Sequence, residues 1–312
     1  MLTEKILNGD VKAAARLMRD IDDDAPGAAA FLKRLYPHTG HAHIIGLTGA
    51  PGAGKSTLID GMVHCLRQQG KTIGVLAIDP TSPYSGGAFL GDRIRMQRHA
   101  NDNGVFIKSI ATRGHLGGLS RSAFGITGVM DAMGKDVILI ETVGVGQDEV
   151  DIIRLAHTTI VVITANMGDG IQVVKSGVLE TADIFALNKA DLEETEATLN
   201  DIKMMLSMRQ VRENNWKPLI VKTLALRAQG VDDLLHEAQN HWNFLKGAGL
   251  KEYWTQKATT EFMIHFRRHL VERSRSVLEP GQKWQAMMER VIGHDIDPCS
   301  AAEEMVEDLL KK

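Results

Sequence analysis

At residues 49–56 the chain reads Gly49-Ala50-Pro51-Gly52-Ala53-Gly54-Lys55-Ser56, directly after the apolar run Ile44–Thr48. This octapeptide matches the P-loop pattern G-x-x-x-x-G-K-[ST], and a helical stretch, Thr57–Gln69, follows it. Glycines let the backbone curl so that its N–H groups converge on phosphate oxygens, and the start of a helix adds a favourable field for an anion. The stretch, extended by Thr57, therefore predicts a strand–loop–helix unit that binds the phosphates of a nucleotide.

The side chains around this loop predict a magnesium site beside the phosphates. We expect Lys55 to reach the β- and γ-phosphates and the Ser56 hydroxyl to ligate Mg²⁺. Glu141 ends an apolar run, where the metal-site acid of a P-loop protein belongs, and Asp92 ends the glycine-rich segment Ser85–Asp92. Mg²⁺ keeps several water ligands, so one or both acids would act through water. Taken alone, Asp92 also fits a solvated or capping residue.

Two further positions at the ends of predicted strands are candidates for sensing the nucleotide. Asp79 precedes a proline and would orient water or a switch segment, or alternatively form a turn. The segment Glu141–Gly144 stands where GTPases carry D-x-x-G, so the Gly144 N–H would sense the γ-phosphate. The next residue is Val145 rather than the glutamine that orients water in Ras-like enzymes, and we therefore expect slow intrinsic hydrolysis.

A second motif predicts that the base is guanine. Asn188, Lys189 and Asp191 follow the apolar run Ile184–Leu187 and fit N-K-x-D. The Asp191 carboxylate would accept hydrogen bonds from N1–H and N2–H₂ of guanine, donors that adenine lacks. Asn188 would brace the loop, and the stem of Lys189 would cover the base. A second base-contacting loop is predicted after another strand, at Thr223-Leu224-Ala225.

Short β-branched runs alternate with helical stretches between residues 41 and 245. Most of the runs are apolar at consecutive positions, as strands buried on both faces are. Together they predict an α/β fold with a mostly parallel central sheet and helices on both faces, a P-loop NTPase. The predicted strands are Ile44–Thr48, Thr72–Ile78, Val105–Ser109, Val137–Glu141, Thr159–Thr164, Ile184–Asn188 and Leu219–Thr223.

Helical extensions are predicted on both sides of this domain. Residues 1–40 form the N-terminal extension, 41–245 the P-loop GTPase domain, and 246–312 a C-terminal helical arm. The large apolar side chains of the arm fit either a core against the GTPase domain or a subunit interface. A thin helical arm cannot bury that much apolar surface alone, which favours the interface.

Composition narrows the partners and the compartment. The net charge is −3, so no basic excess exists to neutralise a nucleic-acid backbone. No apolar run approaches the ~20 residues that span a bilayer, which predicts no membrane association. Two cysteines without a CxxC pair suit a reducing compartment, and no signal-peptide pattern opens the sequence, so we expect a cytoplasmic protein. His38, His41 and His43 fit a solvated linker better than a metal site.

Four longer stretches of the chain stand out: Asp79–Met96, Arg113–Gly118, Glu141–Gln147 and Gly168–Lys175. In this order they resemble the MeaB/ArgK family, the methylmalonyl-CoA mutase-associated GTPases. The resemblance covers about residues 30–240 well and the tails loosely.

The resemblance implies a GTPase chaperone of an adenosylcobalamin-dependent acyl-CoA mutase that gates cofactor loading and protects the mutase. It also implies GTP/GDP and Mg²⁺ as ligands, a homodimer joined through the C-terminal helices, and Asp79 as a switch acid. The segment 165–175 resembles an extra switch that conveys nucleotide state to the mutase. This switch usually begins with Pro-Gly, whereas the present chain reads Ala165-Asn166-Met167, which leaves the identity of the mutase open.

Alternative functions remain open at this point. A small-molecule kinase of the P-loop class would use ATP and lack a guanine loop. A metallochaperone-type GTPase would need a His/Cys cluster beyond the three histidines. A scaffold would bind nucleotide without turnover.

Overall fold

Seven parallel strands form one sheet in the part of the chain that the structure describes. The computed structural model describes residues 1–79, 97–99, 101–111, 118–142, 155–165, 182–208, 216–278 and 282–310 of the 312-residue chain. The strands are β1 (His43–Thr48), β2 (Ile73–Asp79), β3 (Val105–Ala111), β4 (Val137–Glu141), β5 (Thr158–Thr164), β6 (Ile184–Asn188) and β7 (Leu219–Lys222). They lie in the order β3-β2-β4-β1-β5-β6-β7, and every neighbouring pair is parallel.

The helices cover both faces of this sheet. Helix α4 (Lys55–Gln68) follows β1, α5 (Gly118–Ala132) precedes β4, α6 (Thr195–Met208) follows β6, and α7 (Val231–Phe244) follows β7. Along each strand, alternate residues point to opposite faces. Ile45 and Leu47 of β1 pack in one core with apolar residues of α4 and α7, whereas Phe185 of β6 packs in a second core with Ile202 of α6.

Three N-terminal helices pack against α5. They are α1 (Leu2–Leu7), α2 (Val11–Asp22) and α3 (Ala28–Leu35). The side chain of Asp10 caps α2 by accepting a hydrogen bond from the Ala13 N–H, as N-cap aspartates do. Ile21 of α2 and Leu32 of α3 contact Gly125 of α5 so closely that a Cβ there would lie about 3.0 Å from Ile21.

The chain divides into two units, Met1–Lys257 and Ala258–Lys312. Helix α8 (Leu250–Leu278) begins in the first unit and ends in the second, which also contains α9 (Gln282–Ile292) and α10 (Pro298–Leu310). A small core in the second unit joins Met287 of α9 with Ala301 and Met305 of α10. None of the helices described is both long and apolar enough to cross a membrane.

The predicted fold class is confirmed: an α/β fold whose central sheet is entirely parallel among the described strands and has helices on both faces. The predicted boundaries at 40/41 and 245/246 stay predictions. With β1 at the centre of the sheet, flanked by β4 and β5, the loop after β1 lies where strand order reverses, the usual ligand position in such sheets.

Candidate functional site

The loop between β1 and α4 has the backbone that its glycines allow. Gly49, Gly52 and Gly54 have positive φ angles of 140°, 77° and 96°. A Cβ at Gly49 would lie 2.2 Å from the Val162 carbonyl oxygen, and a Cβ at Gly54 would lie 2.3 Å from the Asn188 side-chain nitrogen. These two glycines are therefore required by close packing as well as by conformation.

The Lys55 ammonium lies inside the curve of this loop. Its Nζ donates hydrogen bonds to the carbonyl oxygens of Gly49 at 2.7 Å and Ala50 at 3.2 Å, and the residue is only 6% exposed. A buried cation needs such acceptors, because an unpaired charge away from water is costly. The lysine is thus already at the position from which it would exchange carbonyl for phosphate oxygens.

Ser56 and Glu141 meet beside the loop. The Ser56 hydroxyl donates a hydrogen bond of 2.6 Å to Oε1 of Glu141, and both residues are buried. Glu141 is the last residue of β4 and pairs with Leu47 in the parallel register, so the sheet itself brings the carboxylate to the start of α4. Hydroxyl and carboxylate oxygens are the ligands that Mg²⁺ takes, so this donor pair fits the predicted metal site.

Asn188 connects the P-loop to both predicted base loops. Its Nδ2 donates to the carbonyl oxygen of Ala53 at 2.8 Å. Its Oδ1 accepts from the Thr223 hydroxyl at 3.1 Å and from the Ala225 N–H at 3.2 Å. With Asn188 only 2% exposed, one buried side chain fixes the relative positions of three loops.

The remaining base-loop residues differ in exposure, and Leu224 is half-buried. Lys189 has a left-handed backbone with φ of 56°, and its carbonyl accepts a hydrogen bond from the Leu192 N–H at 3.1 Å. Lys189 and Asp191 are both exposed, whereas Ala225 and Thr223 are buried. The two predicted base-reading side chains therefore project from a tight turn that directly follows the buried Asn188.

The other predicted site residues lie as follows. Ala50 is half-buried, Pro51 and Gly52 are exposed, Ala53 is buried, and Thr57 is half-buried in the first turn of α4. Asp79 ends β2 opposite Ala111 of β3. Asp92 and Gly144 lie outside the described residues. So do Val145, the mutase-switch residues 166–175 and most of the four family stretches, of which only Asp79, Gly118, Glu141 and Thr142 are described.

One cluster was misread in the sequence. His43, expected in a solvated linker, is the first residue of β1 and 5% exposed, whereas His38 and His41 are exposed. Its Nε2 lies 2.9 Å from the Thr158 hydroxyl, which is 3.0 Å from Nδ1 of His241. β1 and β5 begin at this point, whereas the P-loop follows the end of β1. These histidines therefore lie at the opposite ends of the strands from the P-loop. The strand was predicted to start at Ile44, one residue later than β1 starts, so burial of His43 was not expected.

Burial keeps the imidazoles of His43 and His157 neutral. Desolvation lowers the pKa of His43 to about 3, with the nearby His241 and Lys246 acting in the same direction. Desolvation, followed by the charge of Lys257, likewise lowers the pKa of His157, whose Nδ1 accepts from the Ile44 N–H at 2.9 Å. Among the described residues, no group of three or more His, Cys, Asp or Glu side chains is placed to hold a metal ion.

A glycine loop around a buried lysine, a serine–carboxylate pair at its side and an asparagine-braced base loop define the fold and site of a P-loop GTPase. More particularly, residues 14–278 match the model of the family described as "Methylmalonyl Co-A mutase-associated GTPase MeaB". The chain belongs to this family, as its sequence resemblance predicted, and is a GTPase that binds guanine nucleotide.

Similar proteins support this assignment. A candidate GTPase of Pyrococcus abyssi is 42% identical over 312 residues, covering 99% of this chain and 96% of its own. The GTPase ArgK of Escherichia coli is 31% identical over 266 residues, covering 83% of this chain and 80% of its own. A crystal structure of an LAO/AO transport system kinase has a TM-score of 0.74 at 21% identity, covering 99% and 96% of the two chains, and shares the fold.

Proposed function

We propose that this GTPase is a chaperone of an adenosylcobalamin-dependent acyl-CoA mutase of the methylmalonyl-CoA type, gating cofactor loading and protecting the mutase. The observation that carries the proposal is the match of residues 14–278 to a family described as associated with that mutase.

In this proposal the residues around the P-loop bind the triphosphate. Lys55 gives up the carbonyls of Gly49 and Ala50 and pairs with phosphate oxygens. Ser56 and Glu141 would hold Mg²⁺, with Asp92 as a further acid, and the metal would offset the negative charge of the phosphates. Asp191 reads the guanine edge, and Lys189 covers its face.

Hydrolysis acts as a switch. The segment that follows β5, residues 165–175, conveys the nucleotide state to the mutase, and Asp79 and Gly144 respond to the γ-phosphate. A mutase that binds one nucleotide state better than the other shifts the nucleotide equilibrium by the same factor, and a difference in that preference between its cofactor-free and cofactor-loaded forms couples cofactor loading to the nucleotide state. Since Val145 replaces a water-orienting glutamine, the isolated chain hydrolyses GTP slowly until the partner binds.

The second unit supplies a homodimer interface. Phe262, Phe266 and Leu270 recur every fourth residue along α8 and are 62%, 48% and 55% exposed. This spacing aligns them on one helix face, and the two phenylalanine rings stack with centroids 5.6 Å apart. An apolar row of this kind supports pairing with a second copy, which light scattering of the full chain tests.

The expected surroundings are the cytoplasm, without nucleic acid or membrane as partners. Both cysteines are free, Cys65 buried and Cys299 exposed, as suits a reducing compartment. The net charge of −3 gives no support to nucleic-acid binding.

The deciding experiment is co-purification of the full chain with candidate acyl-CoA mutases in GTP and in GDP. The proposal expects one mutase to bind with an affinity that differs between the two nucleotides and to raise the rate of GTP hydrolysis. The proposal is contradicted if none of the mutases tested binds, or if each binds with the same affinity in GTP as in GDP. Calorimetry with GTP and ATP tests the kinase alternative, which would bind ATP. Metal analysis of the purified chain tests the metallochaperone alternative, which would carry bound metal.

A further inference from the structure

A cavity lies where the strands of the sheet begin, at the opposite ends of the strands from the P-loop. Its volume is about 640 Å³, which falls within the range of small-molecule sites. The walls come from segments that are distant in sequence: the end of α1, the linker before β1, the turns before β2 and β4, and the end of α7. All of its lining residues belong to the first unit. We call it the strand-start cavity.

Three lysines line the strand-start cavity: Lys71, Lys135 and Lys246. The Lys246 ammonium lies 4.7 Å from the centroid of the Trp242 ring, and Nζ of Lys135 donates to the Gly104 carbonyl oxygen at 3.2 Å. In the described part of the chain, neither of these two ammonium groups forms an ion pair with a carboxylate. Lys135 is also only 6% exposed, and burial lowers the pKa of its ammonium. A cation that is shielded in this way is stabilised by an anion beside it.

The two carboxylates that line the cavity already accept hydrogen bonds from other groups. Asp131 accepts from the backbone N–H groups of residues 40–42, at 2.6, 3.2 and 3.0 Å in chain order. Asp136 accepts from the N–H and the hydroxyl of Thr72 at 2.7 and 2.8 Å, and Nζ of Lys71 lies 4.0 Å from its Oδ1. Because the lysines outnumber the carboxylates, an anion in the cavity would meet more positive than negative charge.

Part of the lining is apolar. Leu7, Val137 and Trp242 line the cavity together with the lysines, and His38 and His41 add exposed imidazole groups. Apolar surface next to ammonium groups favours an organic anion over an inorganic ion, because the apolar part of such a ligand would also leave water. Lysine is a common phosphate ligand, so the lining as a whole fits a molecule that combines a phosphate with an apolar group.

We propose that the strand-start cavity binds a small organic phosphate, whose phosphate group is held by the lysines and whose organic part packs on the apolar lining. The site is separate from the nucleotide site, because the P-loop follows the end of β1 and the cavity lies where β1 begins. The inference therefore depends neither on a mutase partner nor on Mg²⁺.

The test uses the full chain saturated with GDP, so that the P-loop is occupied before any probe is added. Phenyl phosphate and inorganic phosphate are titrated at equal ionic strength and about pH 8, where both carry nearly the same double negative charge. Tryptophan fluorescence is the readout, because Trp242 lines the cavity. We expect a saturable change with phenyl phosphate, and an affinity at least about fivefold higher than that of inorganic phosphate, because only phenyl phosphate has an apolar part to bury.

Variants locate the probe. Lys71→Met and Lys246→Met should each weaken the binding of phenyl phosphate by about fivefold, because each removes one positive charge and keeps the length of the side chain. Lys203→Met, an exposed lysine of α6 outside the cavity, should change it by less than about twofold. In Trp242→Phe the fluorescence change should disappear.

Three results would overturn the proposal: no saturation up to about 10 mM phenyl phosphate, equal affinity for the two probes, or equal weakening in Lys246→Met and Lys203→Met. A fluorescence change that persists in Trp242→Phe also overturns it, because the probe would then bind elsewhere. Circular dichroism checks that each variant is folded, and the lysine variants decide the question if the buried Trp242 does not tolerate replacement.

Discussion

The Ser56 hydroxyl and the Glu141 carboxylate are joined by a 2.6 Å hydrogen bond between the first turn of α4 and the end of β4. We expect Glu141→Gln to preserve the size of the side chain and its contact with Ser56, but to remove the negative charge that a metal site needs. GTP hydrolysis should fall by about 100-fold or more, because electrostatic stabilisation of the transferring phosphate is lost. Phosphate release measured across a range of Mg²⁺ concentrations checks this. The exposed Glu193→Gln serves as control, and equal turnover in both variants would exclude Glu141 from the site.

Removing the buried ammonium should abolish turnover. Lys55→Ala leaves the carbonyls of Gly49 and Ala50 without their donor and the triphosphate without a cation. Hydrolysis should drop by at least about 100-fold, while the protein remains folded by circular dichroism. Turnover at the parent rate in a folded variant would rule out this loop as the phosphate site.

A single change in the base loop should alter nucleotide choice. Asp191→Asn replaces one acceptor oxygen by an N–H₂ donor, which loses a bond to guanine N2–H₂ and gains one to the 2-oxo group of xanthine. GTP affinity should weaken by about 1–3 kcal/mol, and XTP affinity should rise. Calorimetry with both nucleotides measures this, with exposed Asp201→Asn as control. Unaltered preference would refute guanine reading by Asp191.

Asn188 should contribute to stability as well as to binding. Asn188→Ala removes three buried hydrogen bonds and leaves the Ala53 carbonyl and Thr223 hydroxyl to find new partners. The free energy of unfolding should fall by about 2–4 kcal/mol, measured by urea denaturation. The exposed Asn243→Ala should lose less than about 0.5 kcal/mol. A loss at Asn188 as small as that of the control would mean that the three loops are held by other contacts.

Acid should destabilise the fold through His43. Its pKa lies at about 3 in the folded chain against 6.5 ordinarily, so between these values the unfolded chain binds a proton that the folded chain does not. The free energy of unfolding therefore decreases as the pH falls below about 6.5, and this group contributes a loss of about 2 kcal/mol between pH 7.5 and pH 5.

The matched comparison is His43→Gln with His38→Gln, since His38 is exposed. Urea denaturation at several pH values should give a shallower pH dependence for His43→Gln and an unchanged one for His38→Gln. The same slope in both variants would show that His43 does not titrate on unfolding.

The strands and both nucleotide motifs could be predicted because their signals are local. We can recognise apolar runs, a glycine pattern and polar residues at strand ends from neighbouring residues alone. No knowledge of distant segments of the chain is needed. All seven predicted strands occur within two residues of their predicted bounds. The bracing of three loops by Asn188 was also predictable in outline, because the motif residue follows a strand that ends at the same edge as β1.

Contacts between distant segments could not be predicted in this way. The side-chain contacts of Asp60 with Arg98 and His99 join residues that are 38 and 39 positions apart, and neither Arg98 nor His99 belongs to a periodic pattern. His43 looked like one of three linker histidines, because only the pairing of β1 with β5 places Thr158, and then His241, beside it. Such networks depend on sheet order, which sequence spacing alone does not determine.

The histidine cluster has a practical consequence for dividing the chain. Tyr253 and Trp254, in the first turn of α8, lie against the His157 ring at centroid distances of 4.8 and 5.6 Å, and the Tyr253 hydroxyl donates to the Leu155 carbonyl. A fragment that ends at Leu245 would lack both aromatic rings that pack against His157 at the start of the strands. Water would then reach the His157 imidazole, which is buried in the intact chain. A fragment designed to contain the GTPase unit alone should therefore end at Lys257, the last residue of the first unit.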